Sequence, residues 1–290
     1  SFKADLLSVN IYDTRKNMGM AAAADIAACM KKLLAEKDSI YMIFAAAPSQ
    51  NEMLEALIAE EGIDWGRVHA LHMDEYVNLP ADAPQGFGNF LRRAIFDKVP
   101  FASVNLIGTD ADSEATCARY DALLTEHPVD IVCMGIGENG HIAFNDPHVA
   151  DFHDPLKIKK VDLDQKCRQQ QVNDGCFKSI DLVPKTAITL TCPTLMKADY
   201  AFCIVPAPTK AWAVKETLTG SIDEHCPASI LRTHKNATLY LDQDSSSLLY
   251  GNKSIKSEGV VILKLNVKLF ALPYHTKRTC KILKIGNVAI

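Results

Sequence analysis

The sequence lacks the cysteine spacing that marks a metal site, a redox motif or a disulfide framework. Its nine cysteines are an odd number, and no two of them are separated by just two residues. Several lie in apolar runs, as Cys133 does in the segment 131–134. We therefore expect reduced and mostly buried thiols. We expect neither a metal ion nor an organic cofactor.

Long apolar runs are missing as well. No run approaches the roughly 18 apolar residues that a membrane-spanning helix needs, and the opening residues Ser-Phe-Lys-Ala-Asp do not form a signal peptide. The formal net charge is -4, with 23% charged residues, so no overall basic excess indicates binding to nucleic acid or to a membrane surface. These absences favour a cytoplasmic protein that binds neither.

Acidic residues are scarce at the C-terminal end of the chain. From Gly251 onward there are eight Lys/Arg residues and one acid, Glu258. No Pro/Gly-rich linker divides the residues before this point. We predict one domain over residues 1–250 and a basic extension of undefined structure over residues 251–290. A divergent extension is the simpler interpretation, and a basic arm that binds a partner is the alternative.

Helical and strand-like patterns alternate along the chain. Short β-prone apolar runs lie at 39–44, 68–73, 104–108, 129–134, 187–191, 200–205 and 237–241. Helical patterns lie at 14–34, with Asp13 or Thr14 as the cap, and at 51–58, 88–96, 113–125 and 209–218. The alternation predicts an α/β fold, an open and mostly parallel twisted sheet with helices on both faces, Rossmann-like and three-layered.

Polar side chains follow three of these strands at the point where each strand ends. They are Ser49-Gln50 after the first run, Asp74-Glu75 after the second, and the segment 135–146 after the run 129–134. In open parallel sheets, ligands bind beyond the carboxyl ends of the strands. We therefore expect one ligand to reach Asp74 and the 135–146 segment together.

The segment 135–147 reads Gly-Ile-Gly-Glu-Asn-Gly-His-Ile-Ala-Phe-Asn-Asp-Pro. Its glycines permit left-handed backbone angles and the close approach of a ligand. His141 and Asp146 form a pair that suits proton transfer, because a carboxylate fixes the tautomer of a histidine and tunes its pKa. A Gly-rich turn with a core histidine is the alternative.

Four further residues have both a functional and a structural interpretation. Asp74 and Glu75, beside the hydroxyl of Tyr76, suit general-base work on a carbon acid, or else form a helix cap or a surface acidic pair. Ser49 begins a helix whose N–H groups suit an anion, or is a plain N-cap. Lys210 supplies a charge for a phosphate, or is an ordinary surface lysine.

Taken together, these pieces resemble the glucosamine-6-phosphate deaminase/isomerase family, whose wider kin include 6-phosphogluconolactonases. Four segments carry the resemblance: 71–80 (Leu-His-Met-Asp-Glu-Tyr-Val-Asn-Leu-Pro), 135–147, 183–190 (Val-Pro-Lys-Thr-Ala-Ile-Thr-Leu) and 208–215 (Pro-Thr-Lys-Ala-Trp-Ala-Val-Lys). The resemblance extends over roughly residues 8 to 250, and its first two segments are the most specific.

The resemblance implies a set of catalytic and binding residues. Asp74 matches the aspartate that moves a proton between C1 and C2 of the sugar through an enediol(amine) intermediate. His141 matches the histidine that opens the sugar ring, and Asp146 and Asn139 stand at positions that support this histidine. The matched phosphate contacts and further expected substrate contacts are Ser49, Gln50, Lys210, Arg168, Glu75, Gly137 and Gly140.

Departures from the family pattern accompany the resemblance. Asp146 replaces a usual Glu, Ala-Pro-Ser-Gln replaces the phosphate loop Gly-Ser-Thr-Pro, and residues 167–177 keep Arg168 but lack a second, phosphate-binding arginine. The implied reaction converts glucosamine 6-phosphate, or a close amino-hexose 6-phosphate, to fructose 6-phosphate and ammonia. A non-deaminating sugar-phosphate isomerase or lactonase and a non-catalytic sugar-phosphate sensor are the alternatives. The resemblance leaves a homo-oligomer open.

Overall fold

The computed structural model describes residues 1–109 and 112–249, so the predicted basic extension over 251–290 lies outside the described residues. The strands are β1 (Phe2–Ala4), β2 (Leu7–Ile11), β3 (Ile40–Phe44), β4 (Val68–His72), β5 (Asp74–Tyr76), β6 (Ser103–Asn105), β7 (Ile131–Met134), β8 (Ile158–Asp162), β9 (Thr186–Leu190), β10 (Tyr200–Val205) and β11 (Ala237–Leu241). The α-helices are α1 (Arg15–Glu36), α2 (Asn51–Ala59), α3 (Phe87–Leu91), α4 (Ser113–Glu126), α5 (Gln165–Asn173), α6 (Cys192–Met196) and α7 (Ala211–Thr219).

The main sheet has eight strands in the order β1-β2-β11-β10-β7-β3-β4-β6. Every neighbouring pair is parallel except the hairpin of β1 and β2. The predicted open and mostly parallel sheet is thus confirmed. Since β10, β7, β3 and β4 are adjacent and parallel, the loops that follow them emerge side by side at one edge.

Helices cover both faces of this sheet because side chains alternate along each strand. On β3, Met42 and Phe44 belong to the apolar core under α1 and α2, whereas Ile43 belongs to the core under α4 and α7. The predicted three layers follow from this alternation. The long helix α1 begins as expected, with the Thr14 hydroxyl accepting the backbone N–H of Asn17 at 3.1 Å.

A second, three-stranded antiparallel sheet of order β5-β9-β8 lies beyond the main sheet. The chain enters it directly from β4, and the Met73 carbonyl at the crossing accepts the Leu190 N–H at 2.8 Å. The sequence pattern predicts a strand at 187–191 but indicates neither β8 nor a separate sheet. The reason is that β8 mixes two lysines and an aspartate with only two buried side chains, and its pairing with β9 is non-local.

The structure differs from the sequence prediction at the end of one helix and before the start of another. The helix expected over 88–96 ends at Leu91 and continues over 92–96 as a wider π-helical turn. Residues 48–50 form a separate 3-10 turn before α2, and the Ser49 side chain caps neither helix. The interpretation of Ser49 as a plain N-cap is therefore wrong.

In the described part of the chain, no helix combines the length and apolar character that crossing a membrane requires.

The packing of α1 on α2 depends on Gly19. A Cβ at this position would lie 2.6 Å from the Glu52 Cβ and 2.9 Å from the Glu52 backbone carbon. We expect Gly19→Ala to lower the free energy of unfolding, since overpacking costs about 1–3 kcal/mol and exceeds the helix-propensity gain of at most about 1 kcal/mol. Urea unfolding measures this change.

Gly66→Ala is the matched control for this test. Its added Cβ would meet only the Asp64 carboxylate oxygen, at an ordinary 3.5 Å. Its urea midpoint should stay close to that of the parent protein. A Gly19→Ala protein that is as stable as the parent would contradict the close packing of these two helices.

Candidate active site

The side-chain amide of Asn139 connects a histidine to two carboxylates. Its nitrogen donates to Asp146 Oδ1 at 2.9 Å and to Asp164 Oδ2 at 3.2 Å. Its oxygen accepts the His141 backbone N–H at 3.1 Å and lies 2.7 Å from His141 Nδ1. Carboxylates only accept hydrogen bonds, so the amide has a single consistent orientation. All these groups except Asp164 are buried.

The network determines which nitrogen of His141 carries the proton. His141 Nδ1 faces two acceptors, the Asn139 oxygen at 2.7 Å and Asp146 Oδ1 at 3.2 Å. It must therefore carry a hydrogen. In the neutral ring, Nε2 then keeps its lone pair and can accept a proton from a ligand. The predicted pairing of His141, Asp146 and Asn139 is present in the structure.

The network also determines the charge of Asp146. Burial by itself would raise the pKa of the Asp146 carboxyl. Hydrogen bonds from His141, Asn139 and the Asp164 backbone N–H outweigh burial and lower the pKa below its ordinary value. Asp146 is thus a carboxylate at neutral pH.

Two glycines allow this geometry. The Gly137 N–H donates to the His141 carbonyl at 2.8 Å, and a Cβ on Gly137 would overlap the imidazole ring of His141. Gly140 has a φ of +87°, and a Cβ there would lie 2.7 Å from the sulfur of Cys226. Each position therefore requires glycine for a local steric reason. Their predicted contact with substrate stays a prediction.

Asp74 is buried at the start of β5. It is 6% exposed, and its carboxylate has no hydrogen-bond partner among residues 1–109 and 112–249. Burial raises the pKa of Asp74 well above its ordinary value, and the negative charge of Glu75 raises it further. A carboxylate held in this way is a strong candidate for proton transfer.

Glu75 differs from its neighbour in its surroundings. Its carboxylate accepts the backbone N–H groups of Tyr76, Phe87 and Gly88 at 2.9, 3.0 and 2.8 Å. Burial raises the pKa of Glu75, and these three hydrogen bonds oppose the change. The glutamate therefore holds the start of α3 against β5. Its predicted contact with substrate stays a prediction.

Lys210 is buried at the turn between β10 and α7. It is 6% exposed, and its ammonium has no partner within the described ranges, so the interpretation of an ordinary surface lysine is wrong. Burial lowers the pKa of Lys210, while Asp174, Glu138 and Cys167 raise it. The residue before this turn, Ala207, has a φ of +82° and donates its N–H to the Asp242 carboxylate at 3.1 Å. Such strain in a non-glycine residue is typical of functional sites.

Ser49 and Gln50 follow β3 and contact the neighbouring strand ends. The Gln50 side-chain amide donates to the Ser49 hydroxyl and to the Ile204 carbonyl, both at 3.1 Å. A Cβ on Gly135 would lie 3.2 Å from the Gln50 nitrogen and 3.5 Å from the Ser49 oxygen. The ends of β3, β7 and β10 thus meet here.

Arg168 is directed toward another part of the chain. Its guanidinium donates to the carbonyls of Ile180 and Val183 at 2.6 and 3.0 Å, and its Nε is buried without a partner. Arg168 thereby fastens the loop before β9 to α5. A contact between this arginine and a phosphate stays a prediction.

Helix α5 supplies site residues that the sequence did not indicate. Asp164 caps this helix and donates its own N–H to Asp146 at 3.2 Å. Burial raises the pKa of the Cys167 thiol, and the carboxylates of Asp146, Asp164 and Asp74 raise it further. Gln170 accepts the Glu138 N–H at 2.9 Å. An i, i+3, i+4 spacing of Cys167, Gln170 and Gln171 on one buried face is the signal that would have found them.

Through Cys167, helix α5 also relates the separate parts of the site to one another. The charges of Asp146 and Asp74 raise the pKa of its thiol, and Cys167 in turn raises the pKa of Lys210. Side-chain atoms of His141, Asp146 and Cys167 lie within 4.8 Å of one another at the start of this helix. Asp74 and Lys210 are related to them through the pKa of Cys167. Beside α5, a cavity of about 460 Å³ reaches Asn139 and Asp164. Pro147, Gln165, Lys166, Trp212 and His225 also line this cavity.

His141, Asp146 and Cys167 also bring possible metal-ligand atoms within 4.8 Å of one another, a cluster that spacing along the chain does not indicate. The donor set fits a metal poorly. Burial and the neighbouring carboxylates favour the protonated thiol, so a metal would have to displace that proton in order to bind the thiolate. The histidine and aspartate atoms already share hydrogens with Asn139. The cluster fits a proton-transfer network better than a metal centre.

The fold is that of a known enzyme family. The family described as glucosamine-6-phosphate isomerases/6-phosphogluconolactonase matches residues 13–240. The chain belongs to this family, and the resemblance drawn from its motifs is confirmed.

Two relatives that are similar to this chain are both glucosamine-6-phosphate deaminases. A glucosamine-6-phosphate deaminase of Listeria innocua is 37% identical over 205 residues, which cover 70% of this chain and 86% of that protein. A glucosamine-6-phosphate deaminase of Bacillus cereus is 39% identical over 187 residues, 64% of this chain and 70% of that protein.

Solved structures agree on the fold. A monomeric glucosamine-6-phosphate deaminase is 28% identical with a TM-score of 0.76, covering 83% of this chain and 99% of that chain. A 6-phosphogluconolactonase of Trypanosoma brucei has a TM-score of 0.70 at 18% identity, covering 86% of this chain and all of the other. The lactonase likeness shows a shared fold.

The buried charge of Asp74 should cost stability. Its folded-state pKa is raised, so ionisation opposes folding at a pH above the ordinary carboxyl value. We expect Asp74→Asn to raise the free energy of unfolding at pH 7 by on the order of 1 kcal/mol. The gain should shrink on acidification and vanish below about pH 4, where the side chain is protonated in both states.

Urea unfolding of Asp74→Asn and of the parent protein across this pH range measures the effect. Asp82→Asn, at an exposed position, is the control and should change stability little at any pH. A destabilised Asp74→Asn protein at pH 7 would show that Asp74 has a stabilising partner instead.

Proposed function

We propose that the protein deaminates and isomerises glucosamine 6-phosphate, or a close amino-hexose 6-phosphate, to fructose 6-phosphate and ammonia. The observation that carries this proposal is Asp74, a buried carboxylate with a raised pKa and no hydrogen-bond partner among the described residues. Isomerisation needs a base that takes a proton from carbon and returns it. The named relatives, which are glucosamine-6-phosphate deaminases at 37% and 39% identity, support the same reaction.

His141 catalyses the opening of the sugar ring. Its Nε2 is free because Nδ1 carries the hydrogen shared with Asn139 and Asp146. Nε2 takes the proton of the C1 hydroxyl while the bond from C1 to the ring oxygen breaks, and the proton then passes to the ring oxygen. The nearby Asp146 carboxylate stabilises the imidazolium that forms between these two transfers.

Asp74 then works on the open-chain sugar. Its carboxylate takes the proton from C2, the electron pair forms the C1–C2 double bond, and the carbonyl oxygen at C1 takes a proton from a water molecule, which becomes hydroxide. The same proton returns to C1 as a C2–N double bond forms. Water adds at C2 of the resulting iminium and gives one proton to that hydroxide. Ammonia then leaves as the remaining hydroxyl proton shifts to the nitrogen, which gives the ketone of fructose 6-phosphate. A base of raised pKa suits both directions of this proton transfer.

Lys210 and the turn at Ser49 bind the phosphate of the substrate. The unpartnered ammonium of Lys210 has lost much of its hydration through burial, so a dianionic phosphate is a fitting partner. The cytoplasmic location, the absence of nucleic-acid binding and the oligomeric state remain predictions.

The main test is ammonia release from glucosamine 6-phosphate, with fructose 6-phosphate measured alongside. We expect turnover in the parent protein and a loss of about 10²- to 10⁴-fold in Asp74→Asn, the range for removal of a general base. Asp82→Asn should keep full activity. Binding of the sugar phosphate without any turnover would support a sensor, and ketose without ammonia would support a simple isomerase.

The pH dependence of kcat/KM tests the state of Asp74. The base must be ionised, so activity should fall as the pH drops through its raised pKa. Glu75 is the second cause of that raised pKa. Glu75→Gln should therefore move the acid limb to lower pH, while Asp82→Asn leaves it in place. A limb that moves to higher pH in Glu75→Gln would rule out this electrostatic coupling.

A further inference from the structure

We propose that Gln50 is a positioning residue that turns the Ser49 hydroxyl into a hydrogen-bond donor for the substrate's phosphate. The proposal rests on the function given above. Its effect passes through Ser49 alone, because Gln50 has no exposed surface and cannot itself reach a ligand.

The orientation of the Gln50 amide follows from its neighbours. The Ile204 carbonyl, 3.1 Å away, can only accept a hydrogen bond, so the amide nitrogen must face it. The other amide hydrogen then points to the Ser49 oxygen, also at 3.1 Å. Exchange of the amide oxygen and nitrogen would bring two acceptors together, which excludes the flipped assignment.

This orientation decides what Ser49 does. Because its oxygen accepts from Gln50, the hydroxyl hydrogen is directed elsewhere, and within the described residues it has no acceptor. A half-buried hydroxyl of this kind is ready to donate to an acceptor that arrives with a ligand. A phosphate oxygen fits, since donation to an anion is the stronger form of hydrogen bond, and the unpartnered Lys210 calls for negative charge.

The orientation of the Gln50 amide leaves one polar atom without a hydrogen bond. With both hydrogens of the amide engaged, the Gln50 oxygen is buried without a partner, which destabilises a fold. An apolar side chain of similar length would avoid that loss. The orphan oxygen therefore indicates that the two donated hydrogen bonds are what the site requires. Gly135 makes room for them, as an added Cβ would lie 3.2 Å from the Gln50 nitrogen.

A double-mutant cycle tests the proposal. Gln50→Met removes the donor while keeping length and neutrality. We expect it to weaken binding of inorganic phosphate, measured by calorimetry, and to raise KM for glucosamine 6-phosphate roughly three- to tenfold, with kcat nearly unchanged. In a Ser49→Ala background the same substitution should change neither quantity. Equal weakening in both backgrounds, or none in the parent, would overturn the proposal.

A second variant keeps the test decisive if Gln50→Met fails to fold. Gly135→Ala presses on the Gln50 nitrogen and should give the same pattern: weaker phosphate binding that disappears in the Ser49→Ala background. The calorimetric arm needs no turnover. If the parent releases no ammonia but the cycle still shows coupling to phosphate, the reaction assignment fails and the role of Gln50 stands.

Discussion

The side-chain amide of Asn139 is the contact on which the candidate active site depends. Its oxygen takes the hydrogen of His141 Nδ1, and its nitrogen binds Asp146 and Asp164. One neutral group thus fixes the tautomer of the histidine, joins the Gly-rich turn after β7 to the start of α5, and separates two carboxylates. A change in its orientation would reverse every donor and acceptor around it.

The charges of the site are held under opposing constraints. Hydrogen bonds to Asp146 lower its pKa, whereas Asp74 accepts none from the part of the chain that the structure describes, and burial raises its pKa. Lys210 is buried, and its ammonium forms no hydrogen bond or ion pair with the residues that the structure describes. Separation of otherwise similar carboxylates by their surroundings is how one pocket holds both a stabilising anion and a base. Unsatisfied charge of this kind lowers stability and is compensated by the two apolar cores around the main sheet.

The sequence predicts well wherever a regular period or a local motif carries the information. The alternating strands and helices indicate the parallel sheet, and the motif at 135–147 indicates the partnership of His141 with Asp146. Glu75 shows where such reasoning ends. Beside Asp74 it looks like a second half of an acidic pair, but successive strand residues point to opposite sides. One carboxylate therefore stays without a partner while the other binds three backbone N–H groups.

By itself the sequence determined the layered α/β fold, the family, and the identity of the main proton-transfer candidates, because these follow from periodicity and from residues close together in the chain. Only the tertiary structure decided the antiparallel sheet that carries Asp74, the part that α5 plays through Asp164, Cys167 and Gln170, and the direction of the Gln50 amide. Each of these depends on contacts between segments far apart in sequence. The direction in which a buried polar group donates its hydrogen bond depends on the residues that pack against it. Those residues are distant in the sequence, so a local sequence pattern does not predict them.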